Sequence, residues 1–137
     1  MQILTRPAKP GDMNFVYDSW MKSWRVSKWA GVIPNHLYYA CQRNLIEDLI
    51  ARGAEIVVAC PDSQPDVILG WACGEVKDGA TVLHYSYTKD PYLGLGIEST
   101  VIGALSGSKP GFITHKINSK YCKEWKHVPE MCRRKDL

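Results

Sequence analysis

The chain has 137 residues, 45% of them hydrophobic and 23% charged, with 17 basic against 14 acidic side chains and a net charge of +3. That length suits one domain and leaves no room for two independent cores, and the ordinary composition argues against a disordered chain. So mild a charge does not mark a dedicated nucleic-acid binder.

No apolar run approaches a membrane span and no signal-peptide h-region opens the chain, so a cytoplasmic protein is expected. The five cysteines, Cys41, Cys60, Cys73, Cys122 and Cys132, form no CxxC pair. Reduced thiols are therefore expected in place of a zinc knuckle or a disulfide framework.

Ile3–Arg6 reads as a short strand closed by Pro7 and Pro10-Gly11. Asp12 stands as the N-cap of a helix over Met13–Ser27, with Phe15, Val16, Trp20 and Trp24 at helical spacing. A second helix is predicted over Asn35–Arg52, its apolar stripe made of Leu37, Ala40, Cys41, Leu45, Ile46, Leu49 and Ile50, with Gly53 as its C-cap glycine.

Ile56–Cys60 and Val67–Val76 then read as strands, and Lys77-Asp78-Gly79-Ala80 is a hairpin signal, because Asp-Gly supplies the positive φ of a tight turn. Val82–Lys89 alternates as the next strand, and connections this short imply antiparallel pairing. A glycine-rich stretch, Tyr92–Ser99, opens a helix running to about Leu105 or Gly107. Phe112–Ile117 reads as a further strand and Asn118–Trp125 as a short helix, followed by an extended tail. The expected fold class is α/β (α+β), in the order β-α-α-β-β-β-α-β-(α), with a mixed, mostly antiparallel sheet flanked by helices.

Chemistry concentrates where the strand ending at Lys89-Asp90-Pro91 meets Tyr92-Leu93-Gly94-Leu95-Gly96-Ile97-Glu98 and a helix begins. Glycines let backbone approach phosphate oxygens, and first-turn amides lack intrahelical acceptors, so this is an anion site in outline. No third glycine follows, which excludes a Rossmann fingerprint, and no Gly-Lys-Ser/Thr is present to make a P-loop.

The loop, its preceding strand and the order of elements resemble the GCN5-related N-acetyltransferase (GNAT) family, whose pattern Gln/Arg-x-x-Gly-x-Gly/Ala holds the pyrophosphate of acetyl-CoA. Thr5–Asp12 is similar to that family's first-strand exit, so the likeness covers nearly the whole chain, and Asp-Ser-Trp and Ser-Trp-Arg in the first helix resemble small phage-encoded members. The resemblance implies acetyl-CoA as cosubstrate, its pantetheine beside Ser86, Tyr87 and Thr88 and its pyrophosphate on Gly94, Leu95, Gly96, Ile97, Glu98 and Ser99. Two positions depart from the pattern. Leu93 replaces the polar Gln/Arg, and Glu98 occupies the final Gly/Ala.

Transfer to an amine needs a base and an acid. The resemblance offers Tyr121 as acid, while Glu75 and His84 are candidate bases. Trp24 and Arg25, on the helices that flank the acceptor groove in the family, are candidate substrate contacts. His36, His115 and His127 are too scattered in sequence to suggest a metal site.

The resulting expectation is an acetyl-CoA-dependent N-acetyltransferase acting on the amine of a protein or small molecule. Leu93 and Glu98 support an alternative, a GNAT-like protein without catalysis that binds a host protein or nucleic acid. Lys116, Lys120, Lys123, Lys126, Arg133, Arg134 and Lys135 would serve the latter, although such a run is usually a solvated face. The oligomeric state stays open, a homodimer among the options.

Overall fold

Alternating β-branched and small residues build most of a six-stranded sheet in which neighbours in space are neighbours in sequence. The computed structural model describes residues 2–23, 32, 34–115 and 121–132. They fall into two compact units, one of residues 1–8 with 55–137 and one of residues 9–54.

In the first unit, β1 (Ile3–Pro7), β2 (Glu55–Pro61), β3 (Gly70–Lys77) and β4 (Ala80–Thr88) pair antiparallel. The predicted hairpin joins β3 to β4, with Asp78 at φ 51° and Gly79 at φ 81°, both in the left-handed region that the Asp-Gly pair tolerates. After β4 the chain crosses over through α3 (Ile97–Ala104) and returns as β5 (Ser108–Ile113), parallel to β4. A crossover helix is what a parallel return requires. A short strand, β6 (Lys126–His127), then adds parallel to β5.

The rows of β3 explain how α3 docks. Gly70, Ala72 and Gly74 alternate with Trp71, Cys73 and Glu75, so one face of the strand is almost bare of side chains. A Cβ on Gly70 would stand 2.6 Å from the Tyr87 carbonyl oxygen and 2.8 Å from Ile97 Cγ2, and one on Gly74 would stand 2.9 Å from Leu105 Cδ1. Only glycine lets the helix lie this close to the sheet. Ile97, Val101, Ile102 and Leu105 then bury themselves against Val57, Ala59, Leu69, Ala72, Leu83 and Ile113, with Cys122 and Trp125 completing the core.

The second unit holds a 3-10 turn at Pro10–Asp12, then α1 (Met13–Ser23) and α2 (Asn35–Ala51). Asp12 belongs to that turn, its carboxylate accepting the Lys9 amide at 2.7 Å, and so acts one turn earlier than the helix cap read from sequence. The helices touch each other, and the Arg43 guanidinium lies 5.5 Å above the Tyr17 ring.

Several sequence expectations need correction. On α2, Leu37, Ala40 and Cys41 are exposed, while Tyr38, Ile46 and Leu49 are buried. The buried line thus runs through Tyr38, one position away from the aliphatic stripe. Strand β5 runs Ser108–Ile113 where Phe112–Ile117 was expected, because Gly111 seats it against Thr81 earlier in the chain; residues 116 and 117 lie outside the described residues. Of the short helix expected over Asn118–Trp125, residues 121–124 form turns instead. The extended tail proves to contain β6 and a 3-10 turn at Pro129–Cys132. Among the described residues, no helix is long and apolar enough to cross a membrane.

Candidate functional site

The site begins at an irregularity in β4. Cys73 pairs with Tyr85 but Gly74 pairs with Leu83, so His84 is an extra residue, a bulge. Its consequence is that two consecutive carbonyls face β5. Leu83 O accepts the Thr114 amide at 3.0 Å, and His84 O lies 3.0 Å from His115 Nδ1. The β4–β5 ladder ends there, with Leu83 opposite Ile113, although β4 continues to Thr88.

Beyond the bulge, β4 is paired on one side only among the described residues. Ser86, Tyr87 and Thr88 lie opposite Ala72, Trp71 and Gly70, and the Lys89 amide donates to Leu69 O at 3.0 Å. Alternation along an antiparallel strand then turns the peptide groups of Ser86 and Thr88 to the other edge. That edge offers a row of peptide groups for an extended ligand to pair with.

This edge leads directly to the glycine loop. After a 3-10 turn at Asp90–Tyr92, Gly94 and Gly96 both adopt positive φ, 82° and 79°. Gly96 is the N-cap of α3, and its carbonyl takes the Thr100 amide and the Ser99 and Thr100 hydroxyls. Gly94 has nothing within 4 Å of where a Cβ would stand, and Gly96 has only Ser99 Oγ at 3.8 Å. The amides of Ile97, Glu98 and Ser99 are those of a first helical turn, which lack intrahelical acceptors and sit at the positive end of the helix. Leu93 and Leu95 are exposed rather than folded over the loop. The Glu98 carboxylate is near enough to Cys122 to help raise that thiol to a pKa of about 11, burial being the larger cause. The residues present therefore fit a diphosphate held by backbone amides, with no arginine or glutamine at position 93 to assist.

Below the open edge lies a buried polar chain. Glu75 Oε1 is 2.6 Å from His84 Nε2, His84 Nδ1 is 3.0 Å from Thr114 Oγ1, and Thr114 Oγ1 is 2.9 Å from His115 Nδ1. His84 is fully buried and the Glu75 side chain 12% exposed. Glu75 shares its face of β3 with Trp71, whose ring packs 5.8 Å from Tyr85 and 6.4 Å from Tyr87.

Of the candidate bases, the structure thus brings Glu75 and His84 into direct contact. It places Tyr121 elsewhere, with its hydroxyl near Gly103 at the end of α3 and its ring 6.1 Å from Trp125. There Tyr121 lines a cavity of about 330 Å³ with Lys109 and Pro110, at the start of β5. Lys109 and Thr114 are five residues apart along the chain, roughly 16 Å at strand rise. Trp24 and Arg25 lie outside the described residues. Thr114 and His115 were missed by sequence reasoning, since their partner His84 is 30 residues away and the parallel register that joins them has no local signal.

Burial pushes His115 down to a pKa of about 4, opposed in part by its hydrogen bond to the His84 carbonyl, with smaller lowering contributions from the His84 and His127 rings. A folded value below the ordinary histidine value means that the unfolded chain binds the proton first. This contribution to stability is therefore fully present above about pH 6.5 and lost as pH falls toward 4. Urea unfolding between pH 7 and pH 4 should show stability falling by up to ~1.4 kcal/mol per pH unit from this group. In His115→Asn the slope should be shallower by that amount.

No protein-family model and no curated protein sequence matches the chain. Solved structures do. An acetyl transferase assignment from Pyrococcus furiosus aligns over 90% of this chain and 89% of its own, at TM-score 0.61 and 16% identity. The PaiA N-acetyltransferase of Thermoplasma acidophilum, solved with coenzyme A, aligns over 74% and 68%, at TM-score 0.53 and 19% identity. A GNAT-family acetyltransferase from Brucella melitensis, solved with acetyl-CoA, aligns over 74% and 64%, at TM-score 0.51 and 17% identity. With its bulged β4, parallel β5 and glycine loop at the head of α3, this chain has the fold of the GCN5-related N-acetyltransferases.

Proposed function

We propose that the protein is an acetyl-CoA-dependent N-acetyltransferase that passes the acetyl group directly to an amine. The observation that carries this reading is the continuity of two features: the edge of β4 past His84, paired on one side only among the described residues, and the glycine loop directly after it, where Gly94 and Gly96 leave open space and the first-turn amides of α3 lack intrahelical acceptors. An extended pantetheine chain suits the first and a diphosphate the second. The coenzyme A and acetyl-CoA held by the Thermoplasma and Brucella proteins of like fold support the same cosubstrate here.

Ser86 and Thr88 would pair with the extended arm through their peptide groups, and Gly94, Leu95, Gly96, Ile97, Glu98 and Ser99 would surround the diphosphate. Acetyl-CoA would supply an acetyl thioester whose C–S bond breaks as the amine nitrogen forms the new C–N bond, coenzyme A leaving as a thiolate that takes its proton from solvent. Glu75 takes the proton that the amine must lose, either from the ammonium or through one water. The half-buried rings of Tyr85 and Tyr87, on strand β4 beside it, suit a cationic amine.

Isothermal titration of acetyl-CoA into the full chain tests this reading. Saturable binding is expected, weakened at least ~100-fold in Gly96→Glu, where a side chain is forced into a positive-φ position and a second carboxylate meets the diphosphate. Binding unchanged by that substitution would move the ligand off this loop. No binding at millimolar acetyl-CoA would overturn the enzyme reading in favour of a GNAT-like protein that binds a host protein or nucleic acid.

A further inference from the structure

The chain Glu75–His84–Thr114–His115 has a direction set by its two ends, a carbonyl oxygen at His115 Nδ1 and a carboxylate oxygen at His84 Nε2. His115 Nδ1 lies 3.0 Å from a carbonyl oxygen, that of His84, and a carbonyl can only accept. His115 therefore carries its proton on Nδ1 and donates it toward His84 O and, at 2.9 Å, toward Thr114 Oγ1. Thr114 Oγ1 thereby receives a proton from that side, and its own hydroxyl hydrogen is left for His84 Nδ1 at 3.0 Å. A nitrogen that accepts is unprotonated, so the hydrogen of neutral His84 sits on Nε2. It points at Glu75 Oε1, 2.6 Å away. Each of these four contacts has a donor and an acceptor in this order. A proton on His84 Nδ1 would set two N–H donors on Thr114 and leave the threonine hydrogen without its place in the chain.

We infer that Thr114 and His115 are positioning residues that lock His84 in the Nε2–H tautomer, which makes His84 a fixed donor to Glu75 and leaves Glu75 as the base. His84 is fully buried and its Nε2 already holds a proton, so it has no lone pair to offer an amine. Glu75 keeps one oxygen bound by His84 and a side chain that remains in part accessible. His84 thus aims the carboxylate and stabilises its charge, as a charge-assisted hydrogen bond does. Glu75 as base rests on the acetyl-transfer reading; the tautomer of His84 does not.

The test combines nitrogen-15 NMR of histidine-labelled full-length protein at pH 7 with steady-state kinetics. In the wild type, His84 should show a protonated Nε2 and an unprotonated Nδ1. Thr114→Val, equal in shape but without the hydroxyl, should release the lock and bring in the Nδ1–H form or the doubly protonated ring. The same change should lower kcat about tenfold, the worth of one lost hydrogen bond, with KM for acetyl-CoA unmoved. His115→Leu should act like Thr114→Val. His115→Asn, whose amide nitrogen can stand where Nδ1 stood, should restore the Nε2–H signature. A wild-type His84 protonated on Nδ1, or a Thr114→Val protein with unchanged tautomer, would overturn the inference. A protein with the Nε2–H signature and no acetyl transfer to any amine would overturn Glu75 as base and leave the lock standing.

Discussion

Glu75→Gln should lower kcat for amine acetylation by roughly 100- to 10,000-fold, the range that a positioned general base contributes. The substitution keeps the shape of the side chain and a hydrogen-bond acceptor for His84 Nε2, but removes the ability to take a proton. Because Glu75 lies on β3, away from the glycine loop, the affinity for acetyl-CoA measured by titration should stay within about twofold of wild type. A Glu75→Gln enzyme with normal kcat would show that the amine loses its proton to solvent before transfer. His84→Gln offers a graded comparison. Its effect should be smaller than that of Glu75→Gln, because a residue acting through the carboxylate cannot cost more than the carboxylate itself.

Gly111→Ala should cost about 3–5 kcal/mol of unfolding free energy, among the largest single-residue effects expected anywhere in this chain. A Cβ at that position would overlap the Thr81 carbonyl oxygen and stand 2.9 Å from its carbon. Backbone cannot rotate away as a side chain can, so β5 would have to leave β4 where the two strands run closest. Equilibrium unfolding in urea reads the loss, and Gly11→Ala serves as control. No atom lies within 4 Å of the added carbon there, and a change within about 0.5 kcal/mol is expected. A tolerated Gly111→Ala would mean that β4 and β5 are not held together at Thr81, and the edge that opens past Leu83 would then lack its fixed lower end.

The two glycine positions bear on the candidate site in different ways. Gly111 sets the tight end of the β4–β5 pair, and the bulge at His84 follows its last paired residues. Between them only Val82 and Leu83 pair with Phe112 and Ile113 before the ladder ends. The His84–Thr114 contact lies just past the last paired residues, Leu83 and Ile113. The polar chain lies there, so the bulge that ends the ladder also brings His84 onto Glu75 and Thr114.

Much of this was legible in the sequence because it is encoded by neighbours. The Asp78-Gly79 hairpin, the alternation of β3 and β4, the glycine loop at the head of α3 and Gly53 at the end of α2 are all set within a few residues. A glycine that needs positive φ, or a strand with period-two burial, reports on itself. The expected element order followed from these signals, and so did the anion loop. Ile46 and Leu49 are buried on α2 as expected, but the first half of its buried face was misread, because Tyr38 and Leu37 are adjacent in sequence and only packing chooses between them. The start of β5 was misplaced for a similar reason: it depends on how closely Gly111 approaches Thr81, 30 residues earlier.

The chain's sequence by itself determined which segments are strands and helices, where phosphate could meet backbone, and that Glu75 and His84 were worth weighing as bases. Only the tertiary structure decided that these two touch, that Tyr121 stands at the other end of β5, and that Thr114 and His115 join them in one hydrogen-bonded chain. The physical reason is range. Backbone propensity and hydrophobic period act over a turn or a hairpin, whereas a parallel crossover joins residues about 30 apart through a register that no local pattern records.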